Sequence, residues 1–177
     1  MPANDCILER LAEHHDVATF TCGNADLDTW LTRFAAQNDG MDSSRVFVLV
    51  EEKKVVGYLA LTMGAVERSD PPPKLVRGLP HGYPVGAVVL ARMAIGSDVQ
   101  RGGYGSRLLA EAIYLAVRAS TSVAARLLIV DAIDDDAAAF YRRHGFVDLP
   151  ENPRRLYVRL SVAEASMREA GVVESET

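Results

Sequence analysis

Apolar positions along the chain change rhythm several times, and each change marks an element. The opening CILERLAEHHDVATF reads as a short apolar segment and a connector. In GNADLDTWLTRFAAQN, Leu27, Trp30, Leu31 and Phe34 recur at helical spacing with Asn24 or Asp26 placed to cap, which predicts a helix over about 25–38. This stripe is read as core. RVFVLVE and KVVGYLALTMGAV, rich in β-branched residues and joined by EKK, predict an antiparallel hairpin. Ser69 to Pro84 then holds five of the eight prolines, which excludes a helix or central strand and predicts a long loop of the kind that is often functional.

The second half reads as an α/β unit. VGAVVLARMAI is a strand, DVQRGGYGSRLL packs three glycines into four positions, and YGSRLLAEAIYLAVRAS repeats Leu108, Leu109, Ala112, Ile113 and Ala116 at helical spacing. ARLLIVDAI is apolar enough for a strand buried on both faces. DDDAAAFYRRHGF opens on three aspartates suited to a helix N-terminus and meets Gly145 where a helix should end. RRLYVRL is the last strand. From Val162 the chain is small and acidic and is expected to fray, which sets a single domain over residues 1–161 and a tail over 162–177.

Length and composition agree with one soluble core: 177 residues, 49% hydrophobic and 24% charged. The longest apolar run is about half what a bilayer requires and is broken by Arg92, so no membrane span is expected. The acidic first ten residues do not resemble a secretory signal. Two cysteines, in no ligand-like spacing with the four histidines, argue against a disulfide framework or a metal site and place the protein in a reducing cytoplasm. The net charge of −5 is uneven: residues 45–160 hold sixteen basic and twelve acidic groups, while both ends are acidic. Arg142, Arg143, Arg154, Arg155 and Arg159 lie close in sequence, either as a solvated face or as phosphate contacts.

Glycines at a helix entrance admit an anion to the backbone. A dinucleotide fingerprint fails because Gly103 and Gly105 are followed by Leu108, and no P-loop lysine is present. Gln100-Arg101-Gly102-Gly103-Tyr104-Gly105 remains, open to a pyrophosphate or simply permissive at a helix start.

Gln100, Gly103 and Gly105 meet the pattern Gln/Arg-x-x-Gly-x-Gly/Ala, and AAAFYRRHGF follows about thirty residues later. In that order, with a strand before and a helix and buried strand between, they resemble the GNAT superfamily of acyl-CoA-dependent N-acyltransferases. Over Phe20 to Leu160 the chain is similar to its TacT-like toxin branch, bacterial type II toxin–antitoxin acetyltransferases that modify the α-amine of charged tRNA. The resemblance implies an α/β (mixed α+β) fold: a single GNAT-like domain whose central, mostly antiparallel mixed sheet is splayed at the cofactor site and flanked by helices. It implies acetyl-CoA as cofactor, aminoacyl-tRNA as substrate, a ribbon-helix-helix antitoxin as partner and a homodimer. By position, it implies that the backbone of Met93, Ala94 and Ile95 holds the pantetheine arm. Gln100, Arg101, Gly102, Gly103, Tyr104, Gly105 and Ser106 would form the pyrophosphate turn, Asp134 and Phe140 would lie near the cofactor arm, and Tyr141 would protonate the departing thiolate. Arg142, Arg143, Arg154 and Arg155 are candidate tRNA phosphate contacts. The chain departs from the family pattern at Gly96, where Asp is common, at Gly102, where Gln, Lys or Arg is usual, and at Asp134, where many members have Asn.

Acetyl transfer from sulfur to nitrogen needs a neutral amine, donors for an oxyanion and a proton for the thiolate. Tyr141 suits the last role, and backbone N–H groups near Met93 to Ile95 the second. Glu67, Asp70, His81 and Asp131 are candidate bases by type only; His14 and His15 are read as solvated. An α-amine has a pKa near 7.7 and a lysine near 10.4, so an α-amine acceptor needs no dedicated base. The competing readings are acetylation of a small amine or protein N-terminus, and acyl-CoA binding without turnover.

Overall fold

The computed structural model describes residues 5–67, 73–150 and 152–172. Its seven strands are β1 (Ile7–Arg10), β2 (Arg45–Glu51), β3 (Lys54–Val66), β4 (Val85–Ile95), β5 (Leu127–Asp131), β6 (Val147–Leu149) and β7 (Asn152–Arg159). They form one sheet in the order β1-β2-β3-β4-β5-β7-β6. The helices are α1 (Ala25–Thr29), α2 (Ala35–Gly40), α3 (Pro73–Val76), α4 (Tyr104–Ser122), α5 (Asp135–Arg143) and α6 (Leu160–Glu169), with a π-helical segment, Trp30–Phe34, joining α1 to α2. No described helix is long and apolar enough to cross a membrane. Contacts divide the chain into two compact units, one drawn from residues up to Thr62 with Leu90–Ala112, the other from Met63–Val89 with Ile113 onward.

In the first unit, β1 pairs antiparallel with β2, from Ile7 opposite Val50 to Arg10 opposite Phe47, and β2 with β3, from Arg45 opposite Leu61 to Glu51 opposite Lys54. The expected hairpin turns on Glu52 and Lys53, both left-handed at φ 48° and 75°. This is the backbone that tight hairpins favour, held here without glycine. Asn24 caps α1, its side chain accepting from the N–H groups of Asp26 and Leu27 at 3.1 Å.

The expected helical stripe is altered by the π segment. The Ala35 N–H donates to the Trp30 carbonyl, which inserts an extra residue into that turn. The buried face therefore runs Leu27, Leu31, Ala35, and Phe34 is turned outward at 46% exposure. These side chains pack with Phe20, Val46, Val48 and Tyr58. The Tyr58 hydroxyl donates to the Leu27 carbonyl at 2.9 Å, and its ring stacks on Trp30 with centroids 5.8 Å apart.

In the second unit, β5 pairs antiparallel with β7 from Leu127 opposite Arg159 to Asp131 opposite Arg155, and β6 pairs with β7. Leu75, Val85, Ala87, Leu127, Ile129 and Leu149 form its core. β6, only three residues long, was not anticipated by the sequence pattern. Part of the expected proline loop, Pro73–Val76, is instead the short helix α3; Ser69–Pro72 lie outside the described residues. Residues expected to fray after Val162 continue as α6, which crosses the expected boundary at 161/162. Leu160 is buried at its start, and Arg168 and Glu164 pair at 2.5 Å across one turn. Residues 173–177 of the expected tail lie outside the described residues.

Candidate active site

The glycine turn belongs to the first unit. β4 ends at Ile95 with Ala94 buried and Met93 and Ile95 half-buried. The chain is then bound in place as the Gly96 N–H donates to the Val56 carbonyl at 2.9 Å and the Ser97 N–H to the Thr21 carbonyl at 2.8 Å. Gln100 acts inward: its amide nitrogen donates to the carbonyls of Cys22 (2.8 Å) and Ile95 (3.0 Å), so its side chain shapes the turn. Lys54 forms an ion pair with Asp98 on the same turn, a contact no sequence motif signals.

Arg101 and Gly103 are left-handed, at φ 66° and 87°. At Gly102 a Cβ would stand 2.9 Å from the Tyr104 ring and 3.2 Å from the Val99 carbonyl, so the larger residues usual in the family do not fit this turn without a shift. Tyr104 is itself buried and its hydroxyl donates to Glu51 Oε1 at 2.7 Å. That bond, with desolvation behind it, holds the phenol pKa up at about 12. Only the backbone of Tyr104 is therefore offered to a ligand. The first turn of α4 leaves its leading N–H groups with no helical carbonyl to donate to, at the positive end of a nineteen-residue helix. The Arg101 side chain stands exposed beside it. Donor N–H groups, an arginine and glycine backbone form a set that fits a pyrophosphate.

Arg92, two residues before Ala94, lies over the Trp30 ring at 4.9 Å from the centroid. Its guanidinium makes no ion pair among the described residues. Cys22 has its thiol pKa pushed up to about 11, first by burial and then by Asp28 beside it.

Tyr141 belongs to the second unit, on α5. Asp134 caps that helix, Oδ1 accepting from the Ala137 N–H at 2.7 Å, and Gly145 closes it with φ 87° and an N–H donated to the Arg142 carbonyl. The Asp at position 134 thus performs the capping that Asn also performs. Tyr141 is buried against Phe140 and Phe146, with ring centroids at 5.3 and 5.5 Å, and burial pushes its phenol pKa upward. Its hydroxyl has no hydrogen-bond partner among the described residues.

Three of the four candidate phosphate arginines are met by carboxylates: Arg142 by Asp148 at 3.0 Å, Arg154 by Asp135 at 3.1 Å and Arg155 by Asp131 at 3.6 Å. Arg143 is exposed. Of the candidate bases, Glu67 and His81 are exposed, Asp131 is the partner of Arg155, and Asp70 lies outside the described residues. His15 is not solvated: its side chain is 4% exposed. Its Nδ1 accepts from the Ala12 N–H at 3.0 Å, which places the proton on Nε2 facing Glu9.

An open sheet, a glycine turn at a helix start and a buried tyrosine define the acyl-transferring class of fold. Residues 42–148 match the acetyltransferase (GNAT) domain, and the chain belongs to that family. It is 35% identical over 156 residues to the tRNA-acetylating toxin of Mycobacterium tuberculosis strain ATCC 25618 / H37Rv, covering 88% of this chain and 93% of the relative. Among solved structures it superposes with a TM-score of 0.83 and 28% identity on AtaT complexed with acetyl-methionyl-tRNAfMet, covering 92% of this chain and 99% of AtaT. With a tyrosine-to-phenylalanine mutant of the AtaT toxin bound to the C-terminus of the antitoxin AtaR and acetyl-CoA, the TM-score is 0.79 at 27% identity, covering 92% and 98%.

Proposed function

We propose that the protein transfers the acetyl group of acetyl-CoA to the α-amine of the amino acid on charged tRNA, acting as a cytoplasmic toxin held in check by a ribbon-helix-helix antitoxin. The observation that carries this reading is likeness, over nearly nine-tenths of the chain, to a relative named for acetylating tRNA. The same turn chemistry supports acetyl-CoA: residues Arg101 to Ser106 would hold its pyrophosphate, and the β4 backbone at Met93 to Ile95 its arm.

Acetyl-CoA supplies the acyl group as a thioester. The amine nitrogen forms the new C–N bond, the C–S bond breaks, and the products are an N-acetyl-aminoacyl-tRNA and CoA thiol. β4 backbone N–H groups are the proposed donors to the carbonyl oxygen as it gains charge. Tyr141, kept protonated by burial, is the proposed source of the proton for the thiolate, and the amine loses one proton to solvent. An α-amine is already largely neutral near pH 8, so this transfer needs no dedicated side-chain base.

Purified protein, acetyl-CoA and charged tRNA are expected to give N-acetyl-aminoacyl-tRNA, identified by mass after release from the tRNA. Acetylation of a small amine or a protein N-terminus, with charged tRNA left unmodified, would overturn the tRNA reading while keeping the family chemistry.

A further inference from the structure

We infer that a basic cleft in the second unit, lined by Lys74, Arg126, Arg159 and Ser161, is a binding site for one backbone phosphate of the acceptor RNA. Its remaining walls are Leu75, Ala125 and Leu127, its volume is about 270 Å³, and no carboxylate lines it. That is below the usual size of a pocket for a whole small ligand and is suited to a single group of a longer chain.

The cleft differs from the ion-paired arginines in holding three cations together with no carboxylate among its walls. In a chain of net charge −5, Arg10, Arg45, Arg107, Arg142, Arg154, Arg155 and Arg168 each reach a carboxylate within 2.5–3.6 Å. Lys74 and Arg159 have no such partner among the described residues, and Arg126 has only carbonyls. Three cations gathered without a counter-charge repel one another, a cost that an entering anion removes.

The cleft is also held rigidly. Arg126 precedes β5 with both backbone groups used: its N–H donates to the Gly86 carbonyl at 2.8 Å and its carbonyl accepts from the Leu160 N–H at 2.9 Å. Its Nη1 donates to the Arg77 carbonyl at 2.8 Å, and at 3.4 Å to that of Leu75, which leaves Nε and Nη2 for a ligand. The pairing of β5 with β7 sets Arg159 opposite Leu127, beside it. Ser161 adds a hydroxyl from the first turn of α6, a helix with no side-chain cap and no acidic residue in that turn. Fixed guanidinium donors, a lysine and a hydroxyl are the set that grips phosphate oxygens.

The inference rests on charged tRNA being the acceptor, and its test separates the two. Lys74 and Arg159 are exposed and unpaired, so Lys74→Gln with Arg159→Gln leaves packing intact. In the full-length double variant, KM for charged tRNA is expected to rise about tenfold or more, with KM for acetyl-CoA unchanged. The slope of log Kd for tRNA against log salt is expected to fall by about one, the contribution of the one phosphate the cleft neutralises. Arg118→Gln, which removes an exposed charge on α4, is the control for a generic charge effect. A KM within twofold of the parent and an unchanged slope would overturn the proposal, as would a variant that keeps tRNA affinity but escapes its antitoxin, which would assign the cleft to an acidic peptide. If the parent protein acetylates no charged tRNA, the acceptor reading falls. Filter binding of uncharged tRNA then decides the cleft on the same slope difference.

Discussion

The Tyr141 ring packs against Phe140 and Phe146 while its hydroxyl has no partner among the described residues, so removal of the hydroxyl should cost chemistry and spare the fold. Tyr141→Phe is expected to lower kcat by about 10²–10⁴-fold, the range of a lost general acid, with unfolding free energy within about 1 kcal/mol of the parent. Rate measurements on charged tRNA beside a denaturant melt check both halves. The sign of the pH dependence follows from the same residue. Below a pH of about 7.7 the acceptor amine is increasingly protonated and the rate should fall, whereas Tyr141, raised by burial, keeps its proton on the alkaline side. The kcat profile is therefore expected to rise to a plateau and stay flat to about pH 9, and an alkaline fall starting near pH 8 would remove Tyr141 as the proton source. At this scale the sequence was partly legible. The spacing of Gln100, Gly103 and Gly105 marked the turn, but that Gln100 and Tyr104 face inward depends on Cys22 and Glu51, distant in sequence and in no motif.

Among the elements, α1 shows how a cap and a defect share one helix. Asn24→Ala removes the acceptor for two N–H groups at the start of the segment that carries Trp30 and Leu31, and should cost about 1 kcal/mol. A urea midpoint shift with unchanged slope would register it, and Asn24→Asp should recover most of the loss. Elements with strong periodicity were readable: the β2–β3 hairpin, β4, α4 and α5 all occur where alternation or helical spacing placed them. The π segment was not, because one inserted residue changes which side chain is buried without changing composition, trading Phe34 for Ala35. Nor was β6, whose three residues are defined by pairing with β7 and carry no pattern of their own. α6 was missed because its stability comes from Leu160 seated in the core and a one-turn ion pair more than from an apolar stripe.

For the whole molecule, the acidic balance sets how strongly it holds RNA. About three phosphate contacts, the cleft's among them, correspond to a fall of about 40-fold in affinity for charged tRNA between 50 and 200 mM salt, and that is the loss expected of the wild-type protein. Proteins with six to ten phosphate contacts lose about 10³–10⁵ over that range. Titrations at four salt concentrations would show it, and a loss beyond 10³ would mean a wider contact surface. The order in which the two units are encoded has a consequence for synthesis. β3 and β4 each begin in one unit and end in the other, so the first unit lacks its last strand and the start of α4 until Ala112 has left the ribosome. Tyr141 is translated later still. Domains form co-translationally as their segments emerge, at about 5–20 residues per second, so a nascent chain completes its glycine turn only after Ala112 and gains Tyr141 only when most of the chain is made. On the proposed function, a chain still being made cannot acetylate the charged tRNAs that its own ribosome consumes.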